Sequence, residues 1–161
     1  MPVDLSKIEP MLAARKYLPK FNQYPAYIQP KIDGFRMISA NGTAFSRTLK
    51  PFKNRFVQAW ARNHGVVLEG LDGELVVGDP LHPDTFNKTS AVNAFEGKPD
   101  FLYCVYDIWN LPDKGYQWRQ ARLKDYLANP AIPTNVRLCP TFVVRDEDEI
   151  LKYEGQFIEQ G

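Results

Sequence analysis

Cysteine, histidine and long apolar runs are all scarce in this chain, and each scarcity removes a class of explanation. Only Cys104 and Cys139 occur, both inside apolar runs and not in a spaced framework. A disulfide scaffold and a zinc-ligand pattern are therefore excluded, and reduced core thiols are expected. The two histidines, His64 and His82, lack partners at ligand spacing and read as solvent or loop residues. No run approaches the length needed to span a membrane, so no membrane partner is expected. The first ten residues carry Asp4, Lys7 and Glu9 and lack an apolar centre, which argues against a secretory signal and for a cytoplasmic protein.

What is present is a globular mixture. A chain of 161 residues with 44% hydrophobic and 13% aromatic content suffices for one domain with a substantial core. The formal net charge of +1 hides an asymmetry: residues 1–63 carry +8 and residues 64–161 carry −7. A basic first part suits phosphate contacts along nucleic acid, and an acidic remainder suits metal binding or simple solubility.

The most informative stretch is Lys31-Ile32-Asp33-Gly34-Phe35-Arg36. It sets an amine, a carboxylate, a glycine and a guanidinium within six residues. A lysine attacks phosphorus only as the free amine, and Asp33 by itself favours the ammonium, so a bound divalent cation and basic neighbours are needed to restore the balance. Gly34 permits close approach of backbone or ligand, and Arg36 can hold phosphate or ribose. A bare Asp-Gly pair would read as a surface turn. Four fixed positions matching by chance in a chain of this length is an event on the order of one in a thousand.

This hexamer resembles the nucleotidyl-lysine motif, Lys-x-Asp-Gly-x-Arg, of ATP-dependent DNA ligases of phage and bacterial type and of the related messenger-RNA capping enzymes. Further stretches carry the same resemblance in the same order. Pro10-Met11-Leu12-Ala13 is similar to a segment that precedes the nucleotidyl-lysine strand in many DNA ligases. Pro25–Pro30 reads as a strand delivering Lys31, and Gln29 occupies the position that recognises the adenine edge in the family; it also reads as an ordinary polar strand residue. Asn41-Gly42 between Phe35–Ala40 and Thr43–Arg47 is the strongest short hairpin signal. Ser46-Arg47 resembles the Ser-Arg element that contacts ribose or the 5′-phosphate of a nick.

Pro51–Asn63 supports a helix, with Phe52, Phe56, Val57 and Trp60 on one face and Lys50, Lys53, Arg55 and Arg62 giving a positive surface. Lys50 and Lys53, with Arg47, are candidate DNA contacts. Leu71–Val77 reads as a strand in which Asp72 and Glu74 share a face. By resemblance to the Asp-Gly-Glu-Leu element, Glu74 touches ribose and positions the metal. Asp84–Val92 reads as a capped turn entering a short helix. Phe101–Trp109 is a buried strand, and its Val105-Tyr106-Asp107 resembles the aromatic-Asp element, which makes Tyr106 the ring that stacks on adenine; a core aromatic is the competing reading. Tyr116–Ala128 is an amphipathic helix, Val136–Val144 an apolar strand interrupted by Pro140, and Asp146–Gln160 a final helix with Ile150, Leu151, Phe157 and Ile158 facing inward.

The resemblance implies an α+β fold of twisted, mostly antiparallel sheets with flanking helices, the ATP-grasp-like nucleotidyltransferase domain of ligases. It implies ATP and Mg2+ as cofactors, Lys31 as the residue that becomes lysyl-AMP, and nicked double-stranded DNA as partner. A bacterial cell or phage-infected host is the implied setting. A second metal-site carboxylate, a Lys-x-Lys strand and an OB-fold domain, which follow in the family, have no counterpart in residues 1–161. The expectation is a partial adenylation domain, inactive alone or completed by a complementary C-terminal ligase fragment. Rival readings are a capping guanylyltransferase, for which the Pro-Met-Leu-Ala and Ser-Arg elements fit less well, and a nonenzymatic nucleotide- or nick-binding fragment. An NAD-dependent ligase has too much missing before Lys31.

Overall fold

The computed structural model describes residues 3–8 and 23–160. Pro10–Ala13, expected to matter by resemblance, lies outside the described residues. The secondary structure begins with a 3-10 turn, Leu5–Lys7, capped by the Asp4 carboxylate accepting from the Ser6 amide at 3.1 Å.

Among the described residues, seven strands form two sheets. The larger has the order β3(Thr43–Phe45), β2(Phe35–Ala40), β4(Leu71–Val77), β5(Phe101–Ile108), β6(Val136–Leu138). All its pairings are antiparallel except β5 with β6, which are parallel. The smaller pairs β1(Ala26–Ile28) with β7(Phe142–Val144), antiparallel. The hairpin joining β2 to β3 turns at Asn41-Gly42, where both residues take positive φ, 51° and 65°. That is the primed turn an Asn-Gly pair favours. Gly34 answers a different demand: a β-carbon there would lie 2.3 Å from the Leu75 carbonyl oxygen, so only glycine lets the hexamer run this close to β4.

Apolar alternation decides how the large sheet is packed. Met37, Leu71, Leu75, Tyr103, Val105 and Val136 point to one face, against Val57 and Ala61 of α1(Arg55–Asn63), Leu68 of α2(Gly65–Leu68) and Leu123 of α4(Tyr116–Leu127). Each fully buried aliphatic side chain there contributes roughly 1.5–3 kcal/mol. The opposite face is divided: Ile38, Ala40 and Phe45 are covered by Ile8, with Val3, Leu5 and Trp109 at the margin, and the remainder carries polar groups.

Four expectations need correction. The helix expected from Pro51 begins at Arg55, because Phe52 donates to the Ala44 carbonyl and Pro51 bridges to Phe45, leaving Asn54 to cap the helix through the Val57 amide. Strand β3 stops at Phe45, and Ser46–Lys50 closes a turn through the Ser46 amide and the Lys50 carbonyl. Asp84 precedes α3(Thr85–Thr89) without a capping hydrogen bond to its backbone. The expected strand Val136–Val144 is two strands in different sheets: the Cys139 amide still reaches the Val105 carbonyl, Pro140 has no donor to offer, and Thr141 turns the chain towards β1.

The final helix, α5(Glu147–Gln160), also differs from expectation. Tyr153 and Phe157 pack on Phe142 at ring distances of 4.6 and 5.9 Å. Leu151 and Ile158, expected to face inward, are 58% and 71% exposed. Periodicity marks an apolar face but does not say whether the described chain covers it.

Candidate functional site

The polar part of the sheet's second face is built from three neighbouring strands. The register Arg36 opposite Glu74 and Glu74 opposite Cys104 aligns β2, β4 and β5, and alternation adds Asp72 to the same side. Between Asp72 opposite Asp107 and Gly73 opposite Val105 the register slips by one residue. Tyr106 is therefore the extra residue of a β-bulge, a device that re-aims side chains. Alternation from Cys104 puts Tyr106 on the face that carries Arg36 and Asp72, and the slip sets Asp107 opposite Asp72.

Arg36 grips Asp72 with two charge-assisted hydrogen bonds, Nε to Oδ1 at 2.9 Å and Nη2 to Oδ2 at 2.6 Å. Its guanidinium lies over the Tyr106 ring, 5.7 Å from the centroid. Burial works against the Arg36 charge, yet the bond and charge of Asp72 hold the guanidinium firmly protonated. Asp72, almost wholly buried, is itself raised above the ordinary carboxylate range, since loss of water outweighs the pull of Arg36. Tyr106 is also raised, first by burial and then by the Asp72 charge.

Glu74 is the electrostatically poised member. Burial lifts its carboxyl to about 7, with Asp72 and Asp33 raising it further and Arg36 and Lys31 opposing. Lys31 and Asp33 are thereby close enough for their charges to act on Glu74. Lys31 Nζ sits 3.1 Å from Asp33 Oδ1, and the two side chains are 88% and 66% exposed.

Most of the expected site residues divide between two cavities, and Tyr106 lines neither of the two. Gln29, Lys31 and Asp33 line a groove of about 790 Å³ closed on the far side by Pro80–Pro83 and α5. Arg36, Arg47 and Glu74 line a second of about 440 Å³, with Ser46, Thr48 and Phe86. His82, expected to be a loop residue, is one, and it lines the first groove. Lys50 and Lys53 are exposed at and just beyond the Ser46–Lys50 turn.

Sequence reading missed a group around the bulge. Arg119 of α4 forms a paired contact with Asp107, Nε to Oδ1 at 2.7 Å and Nη2 to Oδ2 at 2.9 Å. The Gln120 amide nitrogen donates to the Tyr106 carbonyl. On its other side Gln120 meets Thr141, which meets Gln29. These pairings span up to 112 residues of sequence, and no local spacing announces them.

A magnesium ion would find Glu74 and Asp33 as oxygen ligands here, Asp72 being engaged by Arg36. Among the described residues no group of three His, Cys, Asp or Glu side chains is placed to hold a metal. That donor set suits magnesium carried in on phosphates, which keeps few protein ligands.

An amine and an arginine flanking a glycine, beside a buried acid on the next strand, define a nucleotidyltransferase class of site. Comparison narrows the class: the ATP dependent DNA ligase domain family matches residues 8–161, and the chain belongs to it. A crystal structure of Chlorella virus DNA ligase-adenylate superposes with a TM-score of 0.74 at 31% identity, over 95% of this chain and 57% of that one. A second structure of the same ligase-adenylate gives 0.73 at 29%, over 95% and 56%. Lig E DNA ligases share the fold, with a TM-score of 0.70 at 15% identity over 96% and 59%. This chain thus spans somewhat over half the length of those ligases. No curated protein matches it. No helix among the described residues is long and apolar enough to cross a membrane.

Proposed function

We propose that the chain carries the adenylylation chemistry of an ATP-dependent DNA ligase, with Lys31 as the residue that accepts AMP and nicked duplex DNA as the eventual substrate. The observation that carries this reading is the Lys31 amine, exposed at the mouth of a groove large enough for a nucleotide, within electrostatic reach of a half-buried acid, Glu74. The Chlorella virus relative, crystallised as a ligase-adenylate, supports it.

In this reading the Lys31 nitrogen attacks the α-phosphorus of ATP, an N–P bond forms, the bond to the bridging oxygen breaks, and pyrophosphate leaves. Asp33 Oδ1, 3.1 Å from Nζ, is the nearest acceptor for the proton the amine sheds. Gln29 and Tyr106 serve the base, and Arg36, Arg47 and Glu74 serve ribose and phosphate. Arg36, fixed by Asp72, is pre-oriented and so costs little reorganisation as charge develops. Magnesium bound to the triphosphate would neutralise that charge further. AMP would then pass to a nick 5′-phosphate, with Arg47, Lys50 and Lys53 as backbone contacts.

Labelled ATP and magnesium test the reading, and GTP in parallel separates it from a capping guanylyltransferase. Acid-labile, alkali-stable label from ATP, absent in Lys31→Ala, is the expected result. Label retained in that variant would remove Lys31 from the role.

A further inference from the structure

We propose that Thr141 and Gln120 are positioning residues that fix which way the Gln29 amide points, and thereby set a preference for a base with an exocyclic amino group. The proposal rests on the adenylylation reading above and names a specificity device within it. Four groups form one line: Gln29 Nε2 to Thr141 Oγ1 at 2.7 Å, Thr141 Oγ1 to Gln120 Oε1 at 3.3 Å, and Gln120 Nε2 to the Tyr106 carbonyl. Two of these residues, Gln29 and Tyr106, are the ones the reading assigns to the base.

The orientation of an amide or hydroxyl is set by the network it joins, and this network has a fixed end. A backbone carbonyl only accepts, so the part of Gln120 facing Tyr106 must be its nitrogen. Gln120 is 8% exposed, and its oxygen then faces Thr141. The Thr141 hydroxyl has one proton, and both the Gln120 oxygen and the Cys139 carbonyl, 3.1 Å away, are acceptors for it. Towards Gln29 the hydroxyl can therefore only accept, and Gln29 must present its nitrogen. The Gln29 oxygen is left over, with no hydrogen-bond partner among the described residues. Gln29 lines the same groove as Lys31, so the groove offers an acceptor to a ligand's edge. An amino group at the purine 6-position satisfies it, and a carbonyl oxygen there opposes it.

The bulge supplies the fixed end. As the extra residue of β5, Tyr106 is skipped by the β4 register, and its carbonyl takes the Gln120 amide and, at 3.4 Å, the Tyr116 hydroxyl. Register supplies the other end: Ala26 opposes Val144 and Ile28 opposes Phe142, so one further step sets Gln29 against Thr141. The two sheets are thus coupled through the side chains that would flank a base.

The test compares ATP with purine riboside 5′-triphosphate, identical but for the missing 6-amino group, in equilibrium binding to the full chain. Thr141→Val removes the hydroxyl and keeps the β-branched shape; Thr141→Ser restores the hydroxyl. Thr141→Val should lose the preference for ATP over the analogue by about fivefold to tenfold, with affinity for the analogue unchanged, and Thr141→Ser should keep it. In parallel, the Gln29 side-chain amide protons, read by NMR without nucleotide, should exchange slowly in the wild type and Thr141→Ser and fast in Thr141→Val. Equal weakening of both nucleotides in Thr141→Val, or unchanged preference or exchange, overturns the positioning role and leaves the adenylylation reading standing. Slow Gln29 exchange in a wild-type chain that binds neither nucleotide overturns that reading, and the specificity role with it.

Discussion

The two faces of the five-stranded sheet are made from the same strands and are held by opposite physics. On one, Met37, Leu75, Tyr103 and Val105 are sealed from water by helices, and the Tyr103 hydroxyl donates to the Met37 carbonyl at 3.1 Å. On the other, Arg36, Asp72, Glu74 and Tyr106 are half to wholly buried as charged or polar groups. The first face stabilises through area removed from water, without direction. The second spends desolvation energy on a fixed arrangement, and it is where every raised carboxyl but that of Glu69 lies. Stability and poise are thus separated by the two-residue alternation of a strand, so a substitution at position n and one at n+1 should fail for different reasons.

The largest effect is expected from Asp72→Ala. It strands a buried guanidinium, and breaking such a pair typically costs about 3–5 kcal/mol. Replacing both Arg36 and Asp72 by apolar residues of similar size should recover most of that loss in urea unfolding, since neither charge is then left unpaired, while nucleotide binding stays lost. A double variant as unstable as Asp72→Ala would show that the pair itself holds the fold. On the opposite face, Leu75→Ala should cost roughly 2–5 kcal/mol with no comparable rescue by any second removal, because the deficit is a cavity.

Glu74 sharpens the comparison through pH. Its carboxyl is raised in the folded state, from 4.5 to about 7, so the folded chain binds more protons than the unfolded one across that window. Stability contributed at this position is present below about 4.5 and is lost as pH rises through about 7. Glu74→Gln should abolish the decline and be the more stable form at pH 8, on the order of 1–2 kcal/mol after allowance for partial exposure. Unfolding curves at pH 4.5 and 8 check this. Parallel behaviour of the two proteins would mean that the acid is solvated.

The two faces were unequally legible in the sequence. Alternation in Leu71–Val77 puts Asp72 beside Glu74, because the period of two is a local property, and the aromatic and β-branched run Phe101–Trp109 marks its own strand. The hairpin follows from Asn41-Gly42 for the same reason. The bulge at Tyr106, the Asp107–Arg119 contact and the Gln29–Thr141–Gln120 line were not visible, since each depends on which strand pairs with which. Pro140 carried a warning that the strand is interrupted, but that β7 leaves for another sheet is decided by its pairing with β1. Lys31 and Arg36 stand out from the chemistry of the hexamer and the role of Glu74 follows from the resemblance, but spacing alone does not say that Arg36 is held by Asp72.

The smallest effect on stability should come from the residue with the largest effect on chemistry. Lys31 lies at neither face but at the groove's lip, and its ion-pair partner, Asp33, is itself exposed. Exposed pairs of this kind are screened by water and lose side-chain entropy in forming, so their net contribution is about 0–1 kcal/mol. Lys31→Ala should therefore unfold within about 0.5 kcal/mol of the wild type. It should also keep nucleotide affinity within a few-fold, since Gln29, Arg36 and Glu74 remain, yet take up no label from ATP. Thermal unfolding and nucleotide titration of the same preparation used for labelling separate the outcomes. A variant that fails to label because it has lost its fold would place Lys31 among the structural residues and erase the distinction between a stabilising face and a reactive edge.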